Sequence, residues 1–448
     1  MTVATLVSRP STADEQLSHF VKSAGFQSWR RRVQSVGGCA KPVRLTGSTT
    51  LEHPERGTLE SFEGTLFVPC NNRRETVCEP CARRYAADTF HLVRAGLAGG
   101  KGVPESVASH VRVFATLTAP SFGPVHNRPT TRTGRVRRCG CGEYHHEADT
   151  RIGTPLNPES YDYVGAVLWQ AHSTELWRRF TITTARHLAA ALGIAPSQLR
   201  DHLRISYVKV AEYQRRGLVH FHAVIRVDGP EGPDARPPSG VTTELLSTVV
   251  RSAVAGTSVS TPESTVASSR VLGWGDQVDV EPITTGVSDE DALARSHQVA
   301  GYVAKYATKS TGVTSGVDRP IRSEHDIAAV DVSAHHRAMI GTAWRLGGLP
   351  EFECLNLRRW AHMLGFRGHF LTKSRHYSTT FTQLRDARTD HRHAEHLDRL
   401  GIADVDAVVV VNGWHMTGVG YRSDAERDMA AAIAARHLTR HTGRETLS

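Results

Sequence analysis

The segment Gly217-Leu218-Val219-His220-Phe221-His222-Ala223-Val224-Ile225 decides how this chain is read. It is apolar, rich in β-branched residues and opened by a glycine, the pattern of a strand leaving a turn. Strand side chains alternate between faces, so His220 and His222 project to one side while Phe221 and Ala223 point to the other. Two imidazoles on one face form a two-toothed clamp for a metal ion. A lone His-x-His is weak evidence, because strand histidines are often solvent-facing or satisfied in a core. The neighbouring sequence therefore has to supply more.

It supplies a carboxylate. Leu203 to Gln214 reads as a second strand, and Arg215-Arg216-Gly217 as the turn between the two. If that turn is a three-residue loop with Gly217 in the left-handed conformation, Gln214 pairs with Leu218 and Glu212 falls opposite His220. A two-residue loop would shift the register by one and turn Glu212 away. Imidazoles plus a carboxylate, with coordination positions left open, suit a divalent cation that polarises a phosphate oxygen. Further on, Gly301-Tyr302-Val303-Ala304-Lys305-Tyr306-Ala307-Thr308-Lys309, read as a helix, stacks two phenols on one face at i and i+4. Aromatic pairs at this spacing usually pack in a core, but Lys305 and Lys309, each three positions beyond a tyrosine, argue against that here.

Four strands are expected in all: Val111 to Thr118, Leu203 to Gln214, Leu218 to Val227 and Gln277 to Ile283. Helical patterns lie at 161–192, 240–255 and 288–310, the last with Ser288 as N-cap and Asp291 three residues on. Strands interrupted by helices, with one tight hairpin, give an α+β fold around a mainly antiparallel sheet. Pro- and Gly-rich breaks fall at 228–240 and a polar stretch at 311–325, and no internal repeat is evident. These divide the chain into an N-terminal region with a Cys-rich zinc-type module (1–105), a central domain (106–310, with insertions near 121–160 and 228–270) and a mixed, mainly helical C-terminal region (326–448). Its final stretch, 424–441, reads as an amphipathic helix that packs in the core of that region.

The 448 residues, 39% of them hydrophobic, suffice for two or three globular domains and exclude a disordered chain. A net charge of +9, with arginines clustered at Arg30-Arg31-Arg32, Arg73-Arg74, Arg83-Arg84 and Arg135-Val136-Arg137-Arg138, fits a polyanionic partner such as DNA as well as it fits a solvated surface. No signal-peptide pattern or membrane-length apolar run is present, which points to the cytoplasm. Seven cysteines are too few for a disulfide scaffold. Cys70, Cys78 and Cys81 have the C-x7-C-x2-C spacing of a partial zinc site. Cys39 is favoured as the fourth ligand. Cys139 and Cys141, in Cys139-Gly-Cys141-Gly-Glu-Tyr-His145-His146, are the competing source, or form a second site with the histidines, or remain unliganded thiols. Cys354, alone in a helix-like segment, reads as core.

Arg358-Arg359-Trp360 and the run Gly365 to Tyr377, with Arg367, Lys373 and Arg375, mix basic and aromatic residues as a DNA-contacting segment would. A surface for a host helicase or for self-association is the alternative.

Taken in order, Phe114-Ala-Thr-Leu-Thr-Ala-Pro120, His220-Phe221-His222 and Tyr302 to Lys309 resemble the three motifs of the HUH endonucleases, specifically the rolling-circle replication initiators of actinobacterial plasmids and integrative elements. With Cys70-Asn-Asn-Arg-Arg74 and Cys78-Glu-Pro-Cys81 the resemblance covers residues 39–310. It implies a ferredoxin-like HUH sheet holding Mg²⁺ or Mn²⁺ and a tyrosine that nicks one strand at a plasmid's double-strand origin, presented as a single strand or a cruciform. A 5′-phosphotyrosine would form and the freed 3′-hydroxyl would prime synthesis. Single-tyrosine initiators place the nucleophile after the first lysine, which maps to Tyr306, whereas phage initiators use two tyrosines, which would enlist Tyr302. Tyr302 as a packing or base-stacking residue is the other reading. Tyrosine ordinarily titrates near pH 10, so Lys305 and Lys309 are the candidates for lowering the cost of its ionisation. A relaxase or transposase would use the same chemistry on other DNA, and a non-cleaving regulator would keep the fold alone.

Overall fold

A computed structural model describes residues 13–283, 289–308, 320–402, 404 and 407–445. The chain divides into two units, one made of Met1–Ala86 with Thr382–Ser448 and the other of Ala87–Phe381.

The second unit is built on five strands: β1 (Arg112–Leu117), β2 (Arg204–Tyr213), β3 (Val219–Asp228), β4 (Val278–Pro282) and β5 (Leu371–Lys373). They lie in the order β4-β1-β3-β2-β5, and every neighbouring pair is antiparallel. The long helix Tyr163–Ala191 joins β1 to β2, and the helix Thr243–Ala255 joins β3 to β4. Both start where the sequence offers a cap: Asp162 accepts from Gly165 N–H and Thr242 from Leu245 N–H. The first is buried all round over Gly165–Ala171 and along one stripe beyond, the second along one stripe, with Leu168, Trp169, Leu176 and Phe180 of the first and Leu246 and Val250 of the second joining Val113, Ala115 and Leu117 of β1 and Phe221, Ala223 and Ile225 of β3 in one core. Period-two alternation then assigns the opposite sheet face to Thr116, Glu212, His220 and His222.

The four expected strands are all present, each with its ends within one residue of the expected bounds. The expected helices at 161–192, 240–255 and 288–310 appear as Tyr163–Ala191, Thr243–Ala255 and Asp289–Thr308. The proposed cap Ser288 and Lys309 lie outside the described residues.

The region 326–448 does not stay together. Its first part belongs to the sheet: β5 pairs with β2, and Met339, Ile340, Phe366 and Phe370 enter the main core. Its last part belongs with the N-terminus, because the strand Val409–Val419 pairs antiparallel with Val43–His53, which also pairs with Gly57–Val68. That strand was not foreseen in a segment expected to be mainly helical. The final helix, Asp424–Glu445, likewise packs elsewhere than expected, setting Ala430 and Ile433 against Phe26, Trp29 and Val33. Gly38 makes the approach possible, since a Cβ there would lie 2.6 Å from that of Ala434. Cys354 is exposed, because the 3-10 turn Pro350–Leu355 spends its buried positions on Phe352 and Leu355. Among the described residues, no helix is long and apolar enough to cross a membrane.

Lys209 of β2 is buried on the helix-covered face, its Nζ 3.9 Å from the centre of the Phe221 ring. Desolvation lowers its pKa from 10.5 to about 7. Between these values the unfolded chain holds a proton that the folded chain lacks, so this group's contribution to stability rises with pH, and its penalty is complete below pH 7. Lys209→Met is therefore expected to be more stable than the parent at neutral pH, with an advantage that shrinks by up to about 1.4 kcal/mol per pH unit on going alkaline. Urea denaturation of both proteins across that range checks it; a constant difference would contradict it.

Candidate active site

The hairpin between β2 and β3 turns through Arg215-Arg216-Gly217. Gly217 has φ +75°, Gln214 N–H donates to Leu218 O at 2.9 Å, and Glu212 sits opposite His220. The three-residue register is the one adopted. Surrounding groups fasten this turn. His335 Nε2 donates to Arg216 O at 3.0 Å, and the buried Gln170 donates to Gly217 O and accepts from Val219 N–H. The Arg216 guanidinium spans the carbonyls of Ala119 and Pro120 at 2.8 and 2.9 Å. Glycine is favoured at 217 by its positive φ, and a side chain there would also have to push back the Leu364 and Met339 side chains, which would stand 2.9 and 3.0 Å from its Cβ.

This register brings three ligand atoms together. Glu212 Oε2 lies 2.7 Å from His220 Nε2 and 3.0 Å from His222 Nε2, and the two nitrogens are 3.0 Å apart. Adjacent ligands of a cation with ~2.1 Å bonds stand about 3 Å apart, so the triad fits a small divalent ion. Glu212 and His222 are buried and His220 is half-buried. Thr116 Oγ1 lies 3.1 Å from His222 Nδ1, and a proton donated from that nitrogen to the hydroxyl leaves a lone pair on Nε2, the atom that faces Glu212 and His220. Phe114 stacks on the same imidazole at 5.9 Å and 8°. Both residues belong to the first quoted motif, but sequence reasoning gave neither a role.

The helix Asp289–Thr308 carries both tyrosines to this triad. Their ring centres are 4.5 Å apart, and Tyr302 and Tyr306 stand 5.0 and 5.3 Å from the His222 ring. Burial, then the hydrogen bond with Tyr306, pushes the Tyr302 phenol above its ordinary pKa. Lys305 Nζ is 5.8 Å from the centre of the Tyr306 ring.

In the other unit, the Sγ atoms of Cys39, Cys70, Cys78 and Cys81 all lie within 4.8 Å of one another. Cys39 follows the helix Phe26–Ser35 through Gly37 and Gly38, both at positive φ, and Cys78 and Cys81 flank the first turn of the helix Glu79–Ala98. Ala40 N–H donates to Cys78 Sγ and Cys70 N–H to Cys39 Sγ. Hydrogen bonding with Cys39, then with Cys81, holds the Cys78 thiol well below its usual range, which favours a thiolate. Cys39 is thus the fourth member of the set. Cys139 and Cys141 stand instead with His126 and His145, and His146 takes no part, its Nδ1 accepting from Ala148 N–H.

Of the C-terminal basic residues, Arg358, Arg359, Arg367 and Lys373 have local partners, and Arg375 is exposed. Arg358 lies on Trp344 and Arg359 on Trp360; Arg367 donates to Cys354 O; Lys373 lies on β5 and donates to the carbonyls of Ser374 and Arg375.

A family model described as "Replication initiator protein, pSAM2" matches residues 25–435. A replication initiator protein from Streptomyces ambofaciens is 42% identical, with 98% of this chain and 96% of that protein aligned. No solved structure matches. The chain belongs to this replication initiator family.

The Thr116 contact leads to a test. Thr116→Val keeps the shape and removes the hydroxyl, and it should weaken Mn²⁺ binding by about 10-fold, as loss of an outer-shell partner does. His222→Ala should abolish that binding. Calorimetric titration reads both, and unchanged affinity in His222→Ala would exclude the triad as the Mn²⁺ site.

Proposed function

We propose that this chain is an HUH-type nickase and strand transferase that starts rolling-circle replication of a plasmid or integrative element at its double-strand origin. The observation that carries this reading is the contact between a convergent His220/His222/Glu212 triad and two helix-borne tyrosines. Membership of a replication initiator family supplies the DNA context. The β-α-β-β-α-β sequence with strand order β4-β1-β3-β2 matches the ferredoxin-like plan, and β5 adds an edge strand.

His220, His222 and Glu212 would hold Mg²⁺ or Mn²⁺, which when bound polarises a non-bridging oxygen of the scissile phosphate. Tyr306 Oη attacks phosphorus, a Tyr–O–P bond forms, and the P–O3′ bond breaks. The phenolic proton leaves the nucleophile, the departing 3′-oxygen gains one, and the products are a 5′-phosphotyrosine and a free 3′-hydroxyl. Lys305, beside the Tyr306 ring, offers positive charge to the developing phenolate. A second transfer, after Tyr306 is consumed, would fall to Tyr302, whose ring centre is 4.5 Å from that of Tyr306. The phosphotyrosine conserves the bond energy, so rejoining needs no nucleotide hydrolysis. Single-stranded or cruciform origin DNA would enter over the sheet face bearing the triad.

The four thiols of Cys39, Cys70, Cys78 and Cys81 would hold Zn²⁺ as a structural ion, because four sulfur ligands leave no open position for water.

Cleavage of single-stranded origin fragments tests the reading. Strand cutting should require Mg²⁺ or Mn²⁺, and Tyr306→Phe should lose covalent attachment while origin affinity stays within about 2-fold, since only the nucleophilic oxygen is deleted. Cutting at the parental rate in EDTA would reject the metal, and full adduct from Tyr306→Phe would move the role to Tyr302. Replacing Cys78 and Cys81 with serine should lower zinc content and thermal stability, and added Mn²⁺ should not restore activity, because soft thiolates and a mixed imidazole-carboxylate set select different ions. Elemental analysis with thermal melts checks this; parental zinc content in the variant would contradict it.

A further inference from the structure

We propose that the insertion between β1 and the long helix holds a second structural zinc, bound by His126, Cys139, Cys141 and His145, and that this ion braces the hairpin turn of the active site. The four ligand atoms lie within 4.8 Å of one another. His145 Nε2 is 3.2 Å from His126 Nδ1 and 3.3 Å from Cys141 Sγ, and Asn127 N–H donates to Cys139 Sγ at 3.4 Å. Two thiolates and two imidazoles suit tetrahedral Zn²⁺ and disfavour Mg²⁺.

Two further observations point to a ligand here. His145 Nδ1 is 2.7 Å from Asp149 Oδ2, and that carboxylate is itself gripped by Arg151. Such a carboxylate partner is what orients a metal-bound histidine: it takes the Nδ1 proton and leaves a lone pair on Nε2 aimed at the other three ligands. The burial pattern is also telling. Between residues 121 and 154 no helix or strand forms, and the only buried side chains are Cys139 and His145. A segment of this length without an apolar centre needs a cross-link to hold one shape, and the ligands occupy the place where a core would be.

The link to the active site is direct. Arg215 of the turn donates to Glu147 O at 2.8 Å, and Gly153 is pressed so close that a Cβ there would stand 2.5 Å from the Arg215 carbonyl carbon. The metal loop thus backs the turn that sets the Glu212–His220 register.

Zinc is counted by elemental analysis on the full-length protein purified under reducing conditions without chelator. Cys139→Ser/Cys141→Ser should lose one zinc per chain relative to the parent, and His126→Ala should lose the same one. His126→Cys, which restores a ligand atom, should keep it and so separates ligation from misfolding. Loss of this ion should also speed tryptic cutting at Arg132, Arg135, Arg137 and Arg138, all exposed, by about 10-fold or more. Full parental zinc in the double-serine variant would overturn the proposal, as would equal loss of zinc in His126→Ala and His126→Cys.

Discussion

The three-residue turn at Arg215-Arg216-Gly217 is the constraint on which the candidate site depends. Side chains on a strand alternate, so a slip of one residue in this hairpin would turn Glu212 toward the helix-covered face and leave two imidazoles without their carboxylate. The fold guards against that slip from several directions. Gln170, buried in the long helix, binds the end of the turn and the start of β3; His335 binds its middle; Arg216 ties it to the end of β1; and Arg215 ties it to the insertion. Residues far apart in sequence therefore cooperate to fix one register.

With the register fixed, the sheet has two different faces. One is apolar and carries the helices, and its single large polar intruder, Lys209, is driven toward neutrality by its surroundings. The other bears the triad, with Thr116 and Phe114 setting the angle of His222 and the tyrosine helix laid across it. The groups able to hold a metal are segregated in the same way. A carboxylate and two imidazoles stand beside the tyrosines, whereas the thiols lie apart, four together in one unit and two with His126 and His145 in the other. Hard, exchangeable ions and soft, permanent ones would then not compete for one site.

Much of the unit that carries the triad was legible in the sequence because its signals are local. The alternation in Val219–Asp228, the glycine at 217 and the i, i+4 tyrosines each specify geometry over a few residues. Cys39 could be preferred as the fourth thiol from its place in the chain. The strand Val409–Val419 was missed although it opens on the β-branched run Val408–Val411: its partner is Val43–His53, more than three hundred residues upstream, and its side chains are mostly exposed, so no apolar alternation marks it. The division of the C-terminal region between two units followed from the same long-range pairing. His126 was missed because twelve residues of irregular loop separate it from Cys139. Thr116 was quoted within a motif, but only the register Thr116–His222 gives its hydroxyl a purpose.

The central claim is that Tyr306, next to a metal-binding triad, becomes covalently joined to DNA. Trypsin divides the tyrosine helix usefully, since cleavage at Lys305 puts Tyr302 on the peptide ending there and Tyr306 on the peptide Tyr306 to Lys309. Mass spectrometry of tryptic peptides after reaction with single-stranded origin DNA, once with Mn²⁺ and once with EDTA, reads the linkage directly. The account predicts a phosphonucleotide on the Tyr306 peptide in the Mn²⁺ sample and none with EDTA. Linkage on the Tyr302 peptide alone, linkage to a residue outside this helix, or an equal yield without metal would contradict it.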